Sequence, residues 1–182
     1  MQNSDRNSVG RNLAMPSIAV VIPTRNRASL VPRAVKSALE QTLAPTEVIV
    51  VIDGPDSATV AALEMIEDKR LRVIALDESG GGAAARNRGV HEAESSWIAF
   101  LDDDDIWLSD KLANQAAFII SRVEVSDRFI SLTGVQGVTG TKTYHWPGRY
   151  PEANEPIAEY LFCHKSLFVN GESVVALSLI HI

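Results

Sequence analysis

Four consecutive aspartates, Asp102 to Asp105, follow the apolar run Trp97-Ile98-Ala99-Phe100-Leu101 and precede Ile106-Trp107. Like charges about 4 Å apart repel by roughly 1 kcal/mol in water and about 4 kcal/mol at an effective dielectric of 20. A buried strand ending in such a cluster needs a counter-charge, a protonation shift or a bound cation. Carboxylate oxygens are hard ligands suited to Mg²⁺ or Mn²⁺, which take one or two protein carboxylates and complete their shell with water and substrate phosphates. The run therefore points to a metal-bridged phosphorylated substrate. A solvated acidic loop is the bland alternative.

Polar residues stand at three equivalent places. Pro23-Thr24-Arg25-Asn26-Arg27 follows Ile18 to Ile22, Asp53 follows Val48 to Ile52, and Asp77-Glu78-Ser79 with Gly80 to Gly82 follows Leu71 to Leu76. Open α/β sheets bind ligands beyond the carboxyl ends of their strands, so these are the candidate contacts. The glycine loop opens a helix, where backbone N–H groups, the helix dipole, Arg86 and Arg88 could face an anion. Its alternative is a flexible turn before a solvated helix. For Asp53 the alternative is ordinary Asp-Gly turn chemistry.

The elements that must position these residues alternate between apolar strands and helical patterns from Ser17 to Gln115, which predicts βαβ units around a mostly parallel sheet. Ile18 to Ile22 and Val48 to Ile52 are β-branched and nearly continuous, as strands buried on both faces require. Pro23 is expected to end the first of them. Leu71 to Leu76 is less apolar and reads as nearer an edge, and Trp97 to Leu101 is the fourth strand. Four helices are predicted: one with Ser29 as N-cap, one capped by Asp56 or Ser57, one over 83–93, and one capped by Ser109. Beyond Arg122 the period weakens. Phe129 to Val135 reads as a strand, Gly134 to Trp146 as a hairpin or extended loop, and Ile157 to Phe162 as a short helix.

The 182 residues, 46% hydrophobic, suffice for one continuous core. A net charge of −6, with none of the 17 Lys and Arg gathered into a basic face, argues against a nucleic-acid or anionic-membrane partner. The single cysteine, Cys163, has no internal disulfide partner and reads as a small core residue. No apolar run reaches the 18 or so residues of a membrane span, and Met1 to Ala14 is polar. Residues 1–15 are read as a disordered leader and the protein as cytoplasmic. The histidines His91, His145, His164 and His181 show no metal-ligand spacing.

Taken together, Val20-Val21-Ile22-Pro23-Thr24-Arg25-Asn26-Arg27, Glu47 to Gly54, Ala83-Ala84-Ala85-Arg86-Asn87-Arg88-Gly89-Val90, and Phe100 to Trp107 with Lys111-Leu112 resemble the successive motifs of family 2 glycosyltransferases of the GT-A fold. The resemblance covers Pro16 to Gln115 and lies in order and spacing together. It implies a Rossmann-like sheet with helices on both faces and a site for a nucleotide-diphosphate sugar, with UDP the favoured nucleotide. Pro23, Thr24 and Arg25 would line the base pocket, and Asp53 would accept a hydrogen bond from base or ribose. Arg86 would approach the diphosphate. Asp102 and Asp104 match the outer positions of the family's Asp-x-Asp motif: Asp104 would touch the Mn²⁺ or Mg²⁺, with Asp102 the second metal candidate, and Asp102 or Asp103 would lie nearer the ribose. Relatives often carry two aspartates after the second strand, where this chain has Ile52-Asp53.

The implied reaction is glycosyl transfer to an acceptor hydroxyl, inverting, with a separate carboxylate as base. No residue is identified as that base. Glu172, Asp127, Glu152, Glu155 and Glu159 read as surface carboxylates. Relatives place the acceptor half and the base after a region like Phe162 to Ala176, so the chain is expected to hold the nucleotide-sugar-binding region over 16–122 and the start of the acceptor side over 123–176. The acceptor could be a glycan, a lipid carrier or a protein, and the full-length protein could then sit at the inner face of a membrane. Residues 177–182 match one frame of a transposon-end sequencing adapter and are read as an artefactual tail, with an apolar terminal strand as the alternative. Two other function classes stay open: a nucleotide-sugar-binding module without catalysis, and a nucleotidyltransferase. The second is disfavoured because Pro23-Thr24-Arg25 stands where a Gly-rich basic loop would be expected.

Overall fold

A computed structural model describes residues 15–121, 130–146 and 177–181. Four parallel strands form its centre: β1 (Ile18–Thr24), β2 (Glu47–Ile52), β3 (Leu71–Ala75) and β4 (Trp97–Phe100). They alternate with α1 (Val31–Leu39), α2 (Ser57–Glu64), α3 (Gly82–Glu92) and α4 (Lys111–Ile120). Then come β5 (Ile130–Leu132), the antiparallel pair β6 (Val135–Thr139) and β7 (Lys142–Trp146), and β8 (Leu177–His181). The main sheet runs β3-β2-β1-β4-β8-β5, with β8 antiparallel to both its neighbours.

The β-branched runs become the inner strands because both their faces are covered. Ile18, Val20 and Ile22 of β1 and Val48, Val50 and Ile52 of β2 pack with Val31, Val35, Leu63, Leu112 and Ile119, placing α1, α2 and α4 on one face. Ala19, Val21, Ile49 and Val51 face Ala85, Val90 and Ala93, so α3 covers the other. The approach of α3 is close: a Cβ on the buried Gly89 would stand 2.3 Å from Val21 Cγ1. β3 pairs only with β2 and is half exposed, the edge position expected of it.

Two expectations need correction. Pro23 does not end β1, which runs to Thr24 in register with β2. Val21 O accepts from Leu101 N and Thr24 O from Asp53 N, so alternate residues of β1 face alternate neighbours, and the missing N–H of Pro23 falls on the β4 side where pairing has already stopped at Val21↔Phe100. Ser29 and Ser109 do not cap their helices. Leu30 and Asp110 are the N-caps, neither with a side-chain cap bond, and Pro32 at the first turn of α1 removes one N–H that would need a partner. Leu177–His181 pairs antiparallel with β4 and β5 as β8. An alternating apolar segment meets the unpaired N–H and C=O groups that the edge of β4 would otherwise present.

Asp56 caps α2 as expected, accepting from Thr59 N at 3.1 Å. Gly134 to Trp146 forms the hairpin β6–β7, closed around Gly140 at φ 60°. The predicted helix over 157–162, Cys163, His164 and the acidic residues Asp127, Glu152, Glu155, Glu159 and Glu172 lie outside the described residues. Among the described residues no helix is long and apolar enough to cross a membrane.

Candidate functional site

β1, β2 and β4 end on the same side of the sheet, and the polar residues at these ends form three bonded groups. In the first, Thr24 Oγ1 donates to Asp103 Oδ2 at 2.6 Å, and both residues are buried. Arg27 Nη1 donates to Asp103 Oδ1 at 2.9 Å and to Asp104 Oδ2 at 2.5 Å. In the second, Arg86, in the first turns of α3, forms an ion pair with Asp102. Gly82 and Gly81 open that helix, Gly81 at φ 87°, a conformation costly for any residue with a Cβ.

The third group is centred on Asp53. Its Oδ1 accepts from Gly80 N at 2.7 Å and Gly81 N at 3.1 Å, and its Oδ2 from Ser79 Oγ at 2.7 Å and Gly81 N at 3.0 Å. Arg25 donates to Ser79 and lies 3.8 Å from Asp53 Oδ2. The Ser79 hydroxyl, against the opposing effect of burial, and then the two backbone N–H groups and Arg25 hold the Asp53 carboxyl below its usual range. The glycine loop thus does turn its N–H groups to an anion, and that anion is the chain's own Asp53.

The acidic run relieves its repulsion in two of the three ways available to it. Arg27 and Arg86 supply counter-charge to Asp103, Asp104 and Asp102. Asp105 shifts its protonation: burial, followed by the charges of Asp102, Asp104 and Asp103, pushes its carboxyl up to about 6. The third way, a cation, fits the oxygens present. Asp103 and Asp104 turn one oxygen each to a single nitrogen of Arg27, so two hard donors already share one cation position. Among the described residues no three His, Cys, Asp or Glu side chains converge, so water and phosphate would have to complete the shell, as Mg²⁺ and Mn²⁺ commonly allow.

Of the residues expected from sequence, Thr24 and Asp103 are joined directly, Arg86 and Asp102 are joined directly, and Arg25 meets Asp53 through Ser79. Pro23 is buried at the end of β1 beside them. Asp102 and Asp104 do not face a common cation; each has its own arginine. Sequence reasoning listed Arg27 and Ser79 only among the strand-end residues and Asp56 only as a helix cap, and assigned none of them these partners. Asp56 accepts from Asn26 N at 2.8 Å and so shapes the turn carrying Arg25 and Arg27, with Asn26 held at φ 54°. The available signal was an asparagine between two arginines directly after a strand, since Asn tolerates the left-handed region.

Comparison with known proteins gives the family and the fold. The model of Glycosyl transferase family 2 matches residues 19–166, and the chain belongs to that family. The succinoglycan biosynthesis protein ExoO of Rhizobium meliloti is 42% identical over 98 residues, which are 54% of this chain and 28% of ExoO. The structure of S. aureus TarS 1-349 in complex with UDP-GlcNAc is 28% identical, with a TM-score of 0.61 over 69% of this chain and 36% of that one. The mannosyltransferase PcManGT of Pyrobaculum calidifontis, in complex with GDP-Man and Mn²⁺, is 28% identical, with a TM-score of 0.53 over 59% of this chain and 33% of that one. The fold is GT-A, an α/β sheet with helices on both faces. The chain spans less than half the length of each of these relatives.

Proposed function

We propose that the protein transfers a glycosyl group from a nucleotide-diphosphate sugar to an acceptor hydroxyl, and that this chain supplies the donor-binding half. The observation carrying the reading is the set of pairings Thr24–Asp103, Arg86–Asp102 and Arg25–Ser79–Asp53 at the carboxyl ends of β1, β2 and β4. That is where an open α/β sheet takes its ligand. Pro23, Thr24 and Arg25 border the base, Asp53 accepts from base or ribose, and Arg86 orients the diphosphate. Asp102 and Asp103 lie toward the ribose. UDP is the favoured nucleotide, supported by the UDP-GlcNAc complex of TarS, while PcManGT with GDP-Man and Mn²⁺ supports the same phosphate and metal chemistry with another base.

Asp104, whose side chain is more exposed than those of Asp102 and Asp103, would hold Mn²⁺ or Mg²⁺, with Asp102 as the second carboxylate. The metal's contribution is to stabilise charge on the leaving diphosphate. Around it, Arg86 and the buried Thr24–Asp103 pair fix the donor so that the acceptor oxygen attacks in line, with inversion. The base that takes the acceptor proton belongs to residues outside those described. A cytoplasmic site of action, at the inner membrane face where the acceptor is lipid-linked, is part of the same proposal.

The test is UDP binding by calorimetry with and without Mn²⁺, in wild type and Asp104→Asn. Mn²⁺ is expected to tighten UDP binding by about tenfold or more, equivalent to about 1.4 kcal/mol, and the substitution to remove that gain. Metal-independent binding that the variant leaves unchanged would sink the assignment.

A further inference from the structure

Arg27 stands where a bridging cation would stand. Its Nη1 lies 2.9 Å from Asp103 Oδ1 and 2.5 Å from Asp104 Oδ2, so one guanidinium nitrogen joins two carboxylates. The two acids are held differently. Asp103 is buried and keeps a second bond, from Thr24 Oγ1 at 2.6 Å. Asp104 is 48% exposed at its side chain, and among the described residues Arg27 is its only side-chain partner. Arg27 is itself 44% exposed and can rotate away without opening the core.

We propose that Arg27 is a stand-in cation: it holds the Asp103–Asp104 pair before the donor arrives, yields Asp104 to the divalent metal, and then turns to the donor's diphosphate. The inference rests on the donor-site reading above. A guanidinium and a divalent ion cannot both sit on Asp104 without like-charge repulsion, so they compete for that carboxylate. The diphosphate offers the displaced guanidinium two oxygens that its planar fork can bind together. The metal is therefore loaded together with the nucleotide rather than ahead of it.

Competition followed by transfer makes removal of Arg27 act with opposite signs on two affinities. Mn²⁺ binding without nucleotide is read by electron paramagnetic resonance on the full chain, and UDP binding at fixed Mn²⁺ by calorimetry. Arg27→Gln is expected to tighten Mn²⁺ alone about fivefold and to weaken UDP about fivefold, within the range of ordinary site–site coupling. Arg27→Lys, which keeps the charge and loses the fork, is expected to shift both in the same directions by less. Should the glutamine variant unfold, the lysine variant carries the test with the same signs. If a wild type with Mn²⁺-dependent UDP binding is matched by variants whose Mn²⁺ affinity is unchanged or lower, Arg27 only supports the loop; this proposal fails and the donor reading stands. If wild-type UDP binding ignores Mn²⁺, both fall together.

Discussion

Lys111 places its ammonium over the ring of Trp107, 3.4 Å from the centroid, and among the described residues Nζ is buried with no hydrogen-bond partner. Burial pulls its pKa down to about 7, and the electron-rich ring face pulls the other way. A base whose folded pKa lies below its unfolded value of 10.5 destabilises the fold most when charged, below about pH 7, and not at all above 10.5. Stability from this residue therefore rises between about pH 7 and 10.5. Urea unfolding across that window should show a rising ΔG in wild type that is absent in Lys111→Met; parallel curves for the two proteins would refute it. Little of this could be seen in the sequence, where Lys111 stands out only by its spacing from the acidic run. Arg27 was similarly hidden, because its partners lie 76 and 77 residues away and no local pattern reports such a pairing.

At the scale of elements, legibility follows burial. β1 and β2 could be read because every residue in them is buried and the β-branched runs admit no other use. Helix starts were read less well, because Ser29 and Ser109 are good capping residues in isolation while packing set the first turns at Leu30 and Asp110. The contact of α3 with β1 was also invisible: Gly89 looks like a weak helix residue, yet its lack of a Cβ lets the helix seat on Val21. Gly89→Ala is expected to cost about 1–3 kcal/mol through overpacking, and Val21→Ala in the same chain should recover part of it. Additive losses in the double variant, measured by thermal unfolding, would contradict the contact. Because α3 carries Arg86, the single variant should also weaken UDP binding.

For the whole molecule, the sheet brings together residues far apart in sequence: Thr24 ends β1 while Asp53 and Asp102 to Asp105 follow β2 and β4, three strands that end on one side, and the helices on both faces keep those ends in place. The fold class followed from the alternation of elements, and the candidate site was read from their polar ends. The pairing of Leu177–His181 with β4 and β5 did not follow, since the pattern was read first as a tail, with a terminal strand only as the alternative. The central claim is that these strand ends form a metal-assisted donor site, and it is tested most directly by anomalous diffraction at the manganese edge from crystals grown with UDP and Mn²⁺. The account predicts a single strong peak within coordination distance of Asp104, with the diphosphate on its far side and the uracil toward Pro23, Thr24 and Arg25. UDP bound there without a manganese peak, or a peak away from the acidic run, would contradict it.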